Sequence, residues 1–490
     1  MQPEEHLVKQ RVEKLEKIKK LGINPYPYKF EVKDFSQDIL NKYSKLKNEE
    51  KTKDKVQLAG RVITLRPMGK IAFGHLQDYK GKIQFFINEK ELSKKEFDLF
   101  NLLDLGDIIG ITGVVFKTKA GEITVLVSKL ELLTKSLRSL PDKWHGLQDI
   151  EERYRKRYVD LIANPQIKEV FVKKFRIINS VRDTLNKNEY IEVDTPIIQP
   201  IYGGANAKPF KTYVNDLKRD AYLRISDELY LKRLIVGGFD KVYEISKDFR
   251  NESIDSSHNP EFTMLEFYQT YADYNDMMKL TQEIVLNANK SIGNKNEIEF
   301  QGNKINFKTP WKTMTMKEAI KQYGKIDVDN LNDKELFKLK DKYKLEHKGP
   351  LTRGWLIQLL FEHFVGSHLI QPTFIVEHPR ETTPLCKGSR KNSELIERFE
   401  LFIAGMEISN GYSELNDPIV QRKLLEEQAK ELRAGFEEAN PMDEDFIRAI
   451  EQGMPPTGGC GIGIDRLAMI FSSCNSIKDV LLFPMMKELS

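Results

Sequence analysis

The stretch VYEISKDFRNESIDSSHNPEFTMLEFYQTY, residues 242–271, divides by its own pattern into two strands and a loop. Residues 242–250 read as a strand, a polar loop follows, and 262–271 read as a second strand, which makes a hairpin. Period two puts Phe262, Met264, Glu266 and Tyr268 on one face of the second strand and Thr263, Leu265 and Phe267 on the other. A carboxylate, a phenol and an aromatic ring thus share a face. Such a face could stack a flat base on Phe262 and hold a cation with Glu266 and Tyr268, while Arg250, at the mouth of the loop, could bind a phosphate. A half-buried hairpin whose polar face meets solvent fits the same pattern.

Upstream, Phe171, Phe175, Ile178, Val181 and Leu185 stand at helical spacing, and YIEVDTP follows as a short strand stopped by Pro196. Downstream, RFELFIAGMEISNGYSEL (398–415) reads as a second hairpin. With Ala404-Gly405 as a two-residue turn, Phe402 faces Glu407 and Glu400 lies diagonally across from Glu407 on the same face. Converging carboxylates can share Mg²⁺ with substrate phosphates, because magnesium prefers oxygen ligands. A cross-strand acidic pair offset by lysines is the plainer alternative. Asn410 has the wrong parity to join the two acids unless a bulge or strand end intervenes. A third segment, GMPPTGGCGIGIDRLAMIF (453–471), runs from glycines into an apolar helical pattern. Asp465-Arg466 at that helix start sets a cation beside exposed backbone amides, a favourable place for phosphate, although a tight turn explains the glycines equally well. Around these segments strands and helices alternate without a βαβ rhythm, which predicts a mostly antiparallel sheet with flanking helices.

The first third of the chain has another character. Val8, Val12, Leu15, Ile18 and Leu21 make an amphipathic helix over 4–21, and five short β-type segments fill 56–133. Five strands in so few residues suggest a small barrel, an OB-fold or an SH3-like one. Residues 1–135 carry 26 Lys and Arg against 19 Asp and Glu, and the remainder 51 against 54. A basic first third suits a polyanionic partner such as nucleic acid, and a solvated lysine-rich surface suits it too. The 490 residues are enough for two or three domains, which excludes a peptide hormone or a disulfide-stapled module. Cys386, Cys460 and Cys474 are too scattered for a disulfide framework or a zinc site. No apolar run approaches the ~20 residues of a membrane span, and the opening MQPEEHLVKQ lacks a secretory apolar stretch. The expectation is a cytoplasmic protein without membrane contact.

Taken in order, the helix ending in VDTP, FRNESIDSSHNPEF and GIGIDRLAM resemble the three signature motifs of class II aminoacyl-tRNA synthetases. The barrel followed by HGLQDIEERYRKRYVDL, GGANAKPF, ELYLKRL and EISNGYSELND is similar to the lysyl members of the aspartyl, asparaginyl and lysyl subclass. The resemblance covers nearly the whole chain. It implies an α+β protein: a helical, basic extension (1–55), a five-stranded OB-fold anticodon-binding barrel (56–135), a connection (136–165) and a class II catalytic domain (166–490).

By the same resemblance, Arg250 would hold the α-phosphate and the amino acid carboxylate, with Arg466 as the second catalytic cation, covering the adenine and reaching the γ-phosphate. Glu252 would contact the adenine edge, His258 and Asn259 the phosphate end, and Phe262 would stack the base. Glu400 and Glu407 would hold Mg²⁺ with ATP. Glu266, Tyr268 and Glu414 would receive the ε-ammonium of lysine, Gly203 and Glu228 the α-amino group, and Asn410 would assist the carboxylate. For Glu228 the competing reading is a helix start, since Ser226, Asp227 and Glu228 place acids near a positive dipole end. Arg66, Phe73 and Gln84 match anticodon readers, the partner would be tRNA(Lys), and the first motif implies a C2 homodimer.

Some positions depart from the family pattern. Ser253 stands for a usual glycine, Ser226-Asp227 for a usual Ala-Pro, and Gln452 and Cys460 are atypical. An aspartyl or asparaginyl enzyme would need a cationic or amide group where Glu266 and Glu414 sit. A silent tRNA-binding paralogue would be expected to lose some of Arg250, Glu407 and Arg466, and all three are present. Relatives that modify a protein lysine typically lack the barrel.

Overall fold

The computed structural model describes residues 3–141, 147, 149–347, 349–436 and 439–488, so residues 142–146 and 148 of the expected connection lie outside the described residues. The chain forms two compact units, Met1–Leu147 and Gln148–Ser490.

In the first unit, strands Lys51–Met68, Ile71–Gln77, Lys82–Asn88, Ile108–Lys117 and Ile123–Thr134 close a barrel. The order is first, second, third, fifth, fourth, with the third and fifth strands parallel, the topology of an OB-fold. Alternate residues point inward, and Leu58, Val62, Leu76, Phe85, Ile111 and Val125 are sealed from solvent. The opening strand starts at Lys51, ahead of the expected Val56, because Lys51 and Lys55 already pair with Phe116 and Val114. Helices Pro3–Lys20 and Ser36–Lys42 precede the barrel, and their Ile18 and Ile39, with Tyr43 just beyond the second, join its core. The basic extension is therefore part of the packed unit, with its lysines left on the outside.

The second unit is built on an eight-stranded sheet in the order 312–315, 373–379, 395–403, 406–413, 457–463, 261–270, 241–249, 191–192. The six middle strands are antiparallel, and only the short edge strands pair parallel. Helices Ile167–Lys187, Tyr274–Ser291 and Ile464–Phe471 cover one face, burying Leu265, Phe267, Phe399, Leu401 and Ile462 against Val181, Ile284 and Leu467. Burying such side chains contributes roughly 1.5–3 kcal/mol each. One residue departs from the helical reading: Phe175 is 51% exposed, and Lys174 and Ile177 are buried in its place. The buried stripe runs 171, 174, 178, 181, 185, and a step of four from Phe171 falls at its edge. Lys174 is tolerated inside because its ammonium pairs with Asp465 at 2.5 Å and donates to the Val480 carbonyl.

Candidate active site

The opposite face of the sheet is covered toward its two sides, where Ile375 and Phe402 pack on helix Arg353–Phe364 and Val242 and Tyr268 on helix Glu228–Val236, and it lines a cavity of about 380 Å³. In the hairpin 241–249/261–270, Glu244 pairs with Glu266 and Tyr243 with Phe267. Leu265 and Phe267 go to the core, while Phe262, Met264, Glu266 and Tyr268 line the cavity. Arg250, just beyond the first strand, sets its guanidinium 5.1 Å over the Phe262 ring. Glu252, His258 and Asn259, from the connecting loop, line the same space. Asn259 donates to the Glu261 carbonyl at 2.6 Å, and its own side-chain oxygen is buried without a donor. His258 Nδ1 meets Asp255 at 2.8 Å. Burial pushes Asp255 up, but hydrogen bonds from the Ser257 amide and His258 outweigh this and hold it at about 2.

Arg466, in the first turn of Ile464–Phe471, joins two of the segments. Its Nη1 donates to the Glu407 carbonyl at 2.7 Å, and its Nη2 lies 3.1 Å from His258 Nε2. Asp465 beside it accepts from the Thr263 amide at 2.7 Å, which ties this helix to the hairpin.

In the hairpin 395–403/406–413, Ala404 and Gly405 form the turn with φ +55° and +75°, the left-handed pair a tight hairpin favours. Phe402 faces Glu407 as the turn geometry requires. The register then shifts between Leu401 and Phe402, and the bulge brings Asn410 directly opposite Glu400. Glu407 and Asn410 line the cavity, whereas Glu400 is outside its lining, behind Arg398. Arg398, buried, donates to Glu400 at 2.5 Å, to Asn410 at 3.1 Å and to Thr382 at 3.1 Å. Burial, together with the charges of Glu407 and Glu362 and against Arg398, pushes Glu400 up to about 7. A divalent cation would relieve that repulsion, and an all-oxygen donor set fits Mg²⁺.

The far end of the cavity is acidic and closed. Glu266 accepts from the Ser226 hydroxyl at 2.6 Å and from the Tyr268 hydroxyl at 2.9 Å. Glu228 begins helix Glu228–Val236, and one turn on Lys232 places its ammonium 2.5 Å from Glu228 and 2.5 Å from Glu414. Lys232 is fully buried. Burial pushes Glu228 up to about 7 and Glu414 up to about 8, in both cases against the pull of Lys232. The helix start foreseen for Ser226-Asp227-Glu228 is real, and Glu228 nonetheless lines the cavity. Gly204 lines it too, while Gly203 sits one residue back, where a Cβ would come within 2.7 Å of Leu229.

Neither Lys232 nor Arg398 was among the residues expected here. Both had a signal: Lys232 is i+4 from Glu228, and Arg398 shares strand parity with Glu400.

On the outer face of the barrel Arg66 pairs with Phe73, and Phe73 with Phe86, whose rings lie 4.5 Å apart. Phe116 extends the row, 6.1 Å from Phe86. Gln84 donates to Glu122 at 2.6 Å and accepts from Thr124 at 2.7 Å. The second and third rings escape a reading by spacing along one strand because they come from other strands, 82–88 and 108–117.

A family profile described as tRNA synthetases class II (D, K and N) matches residues 149–487, and one described as an OB-fold nucleic acid binding domain matches residues 56–133. The chain is 49% identical over 483 residues to the lysine–tRNA ligase of Methanoculleus marisnigri, covering 97% of this chain and 94% of that protein. It is 49% identical over 485 residues to the lysine–tRNA ligase of Carboxydothermus hydrogenoformans, covering 98% of each. It is 48% identical over 486 residues to that of Clostridium novyi, covering 98% and 94%.

Proposed function

The chain belongs to the class II tRNA synthetases of the aspartyl, lysyl and asparaginyl group, and from that premise we infer that it activates L-lysine with ATP and passes the lysyl group to the 3′ end of tRNA(Lys). It is a lysine–tRNA ligase in its reaction: the lysine carboxylate attacks the α-phosphorus, a C–O–P bond forms, pyrophosphate leaves, and the tRNA hydroxyl then displaces AMP.

The observation that carries the choice of lysine is the closed acidic end of the cavity. Three buried carboxylates, Glu228, Glu266 and Glu414, meet there with one internal cation, Lys232. An ammonium is the side-chain group that such a place favours, whereas an aspartate would add charge of the wrong sign. Glu266, Tyr268 and Glu414 would receive the ε-ammonium, Glu228 and the Gly203-Gly204 backbone the α-amino group, and Asn410 would orient the carboxylate.

At the other end Arg250, resting on Phe262, would meet the charge that develops on the α-phosphate. Phe262 and Arg466 would enclose the adenine, with Glu252 at its edge and His258 and Asn259 toward the phosphates. Glu400 and Glu407 would hold Mg²⁺, which supplies positive charge to the leaving pyrophosphate. Arg66, Phe73 and Gln84 would read the anticodon by stacking and amide contacts, with Phe86 extending the platform. A homodimer is supported by apolar side chains left exposed along the first motif: Phe175 at 51%, Ile191 at 53% and Ile198 at 55%. Among the described residues no helix is long and apolar enough to cross a membrane. Use of ATP and tRNA supports a cytoplasmic location.

Amino-acid-dependent exchange of pyrophosphate into ATP, run with each standard amino acid separately, tests the reading. Lysine alone should drive exchange. A response to aspartate or asparagine in its place would remove the lysine assignment.

A further inference from the structure

Behind Glu266, outside the lining of the cavity, stand two more acids, Asp227 and Asp248. One oxygen from each of Asp227, Asp248 and Glu266 lies within 4.8 Å of the others, and all three residues are buried. The charges around them come from every neighbouring element. Strand 241–249 adds Glu244 as well as Asp248. Arg224 pairs with Glu244 at 2.7 Å and with Asp248 at 3.4 Å. Arg250 also faces Asp248. Glu228, Glu414 and Lys232 lie beyond Glu266 and are paired among themselves.

Asp227 is the member without a donor. Neither of its oxygens accepts a hydrogen bond, although the residue is fully buried. It occupies the N-cap position of helix Glu228–Val236 but makes no capping bond, and the Glu228 amide donates to the Ser226 hydroxyl at 3.1 Å. The positive end of a helix offsets only a small part of the cost of an ionised carboxylate buried beside two others. A carboxylic acid, by contrast, has an O–H to donate, and Glu266 is at hand to accept it. Burial first, then the charges of Glu266 and Asp248, push Asp227 well above the ordinary carboxylate range. Glu266 is pushed up by burial first and then by the charge of Asp248.

We propose that Asp227 is a positioning residue that shares a proton with Glu266 in the empty pocket, and that a primary ammonium, the ε-group of lysine, displaces this proton when it binds. The proposal rests on the lysine reading given above. In the step, the Asp227 O–H bond breaks and the proton leaves through the cavity to buffer. The ammonium arrives with its own charge, so one positive charge replaces another at Glu266. Proton and lysine therefore compete. Lysine binding should tighten as pH rises, until the trio titrates in the free protein.

The test is calorimetry of lysine binding to the full-length protein at pH 7 in two buffers of different ionisation enthalpy, for wild type and D227N. The amide that D227N introduces would donate to Glu266 permanently and has no proton to release. Wild type should release about one proton per lysine bound and D227N close to none, which separates Asp227 from Glu228 and Glu414 as the source. In pyrophosphate exchange the KM for lysine should fall about tenfold per pH unit below the titration in wild type and stay flat in D227N, with kcat changing less than KM. Lysine binding without proton release in wild type would overturn the proposal, as would equal release in D227N. Tight Mg²⁺ binding in the absence of ATP, lost in D227N, would make the trio a metal site and overturn it too. Absence of any lysine heat, with no exchange, would sink the lysine reading itself and is readily told apart from binding without release.

Discussion

The outer face of the barrel is made from alternate residues on paired strands, and the closed end of the cavity joins such residues of strand 261–270 to the start of helix Glu228–Val236 and to Glu414 just past strand 406–413; the two treat charge in opposite ways. On the barrel the face is half-exposed: Phe73, Phe86 and Phe116 offer rings, and Gln84 and His75 are both satisfied by Glu122. In the cavity the face is buried, and Glu228, Glu266 and Glu414 crowd together with only Lys232 between two of them. Water screens the first set, so each group costs little to hold and contributes little when it binds. Without water the second set is costly to maintain, and for that reason one charge can discriminate strongly.

The largest effect should follow from E266Q. It keeps the shape of the buried face and removes one charge, and lysine-dependent pyrophosphate exchange should lose about 150- to 5,000-fold in kcat/KM, as expected for a broken buried charge pair of roughly 3–5 kcal/mol. Unchanged exchange would mean that the acidic end does not hold the ammonium. K232M should come next, read as stability. It leaves Glu228 and Glu414 buried without their cation, and urea unfolding of the second unit should lose about 3 kcal/mol, with much of it regained in K232M/E414Q. F73A should be milder. Removing one stacking ring costs about 1–3 kcal/mol, so tRNA charging should fall roughly 5- to 150-fold in kcat/KM while pyrophosphate exchange is unaffected. An equal loss in both assays would erase the division of labour between the two faces.

The residues that strand parity could read were legible in the sequence. Phe262, Met264, Glu266 and Tyr268 share a face because period two admits no other outcome once the strand exists. The barrel was legible to the level of five strands, and the family motifs selected the OB-fold from the two barrels that the pattern allowed. What parity could not supply was the place where it breaks. Asn410 reaches Glu400 only through a bulge, whose position depends on side-chain packing of neighbouring strands. The buried partners were hidden for a related reason. Its i+4 spacing from Glu228 does not by itself set Lys232 apart from the many solvated lysines of this chain, and its role arises only when Glu414, distant in sequence, is folded against it. Phe175 failed the other way, since a helical stripe has edges that a list of apolar positions does not show.

A dependence on pH sets the cavity and the barrel unit most directly against each other, because Glu228, Glu400 and Glu414 shift one way and Asp104 the other. Burial pushes Glu228 and Glu400 up to about 7 and Glu414 up to about 8 in the second unit. From the ordinary carboxylate range up to those values, the folded unit keeps protons that the unfolded chain has released. Raising the pH through this window therefore favours unfolding, by at most about 1.4 kcal/mol per pH unit for each proton held. In the barrel unit burial pushes Asp104 up, but hydrogen bonds from Lys135 and Lys14 outweigh it and hold the group below its ordinary value. Its contribution is complete above the ordinary carboxylate range and is lost only as pH falls below it. Hydrogen exchange on the full-length chain, converted to opening free energies at pH 5.5, 6.5 and 7.5, should show the slowest amides around residues 261–270 and 406–413 losing protection as pH rises, while those of the barrel strands hold steady. Parallel slopes in the two units would mean that the acids of the cavity are not strained by their burial, and the contrast between a screened and an unscreened face would lose its energetic basis.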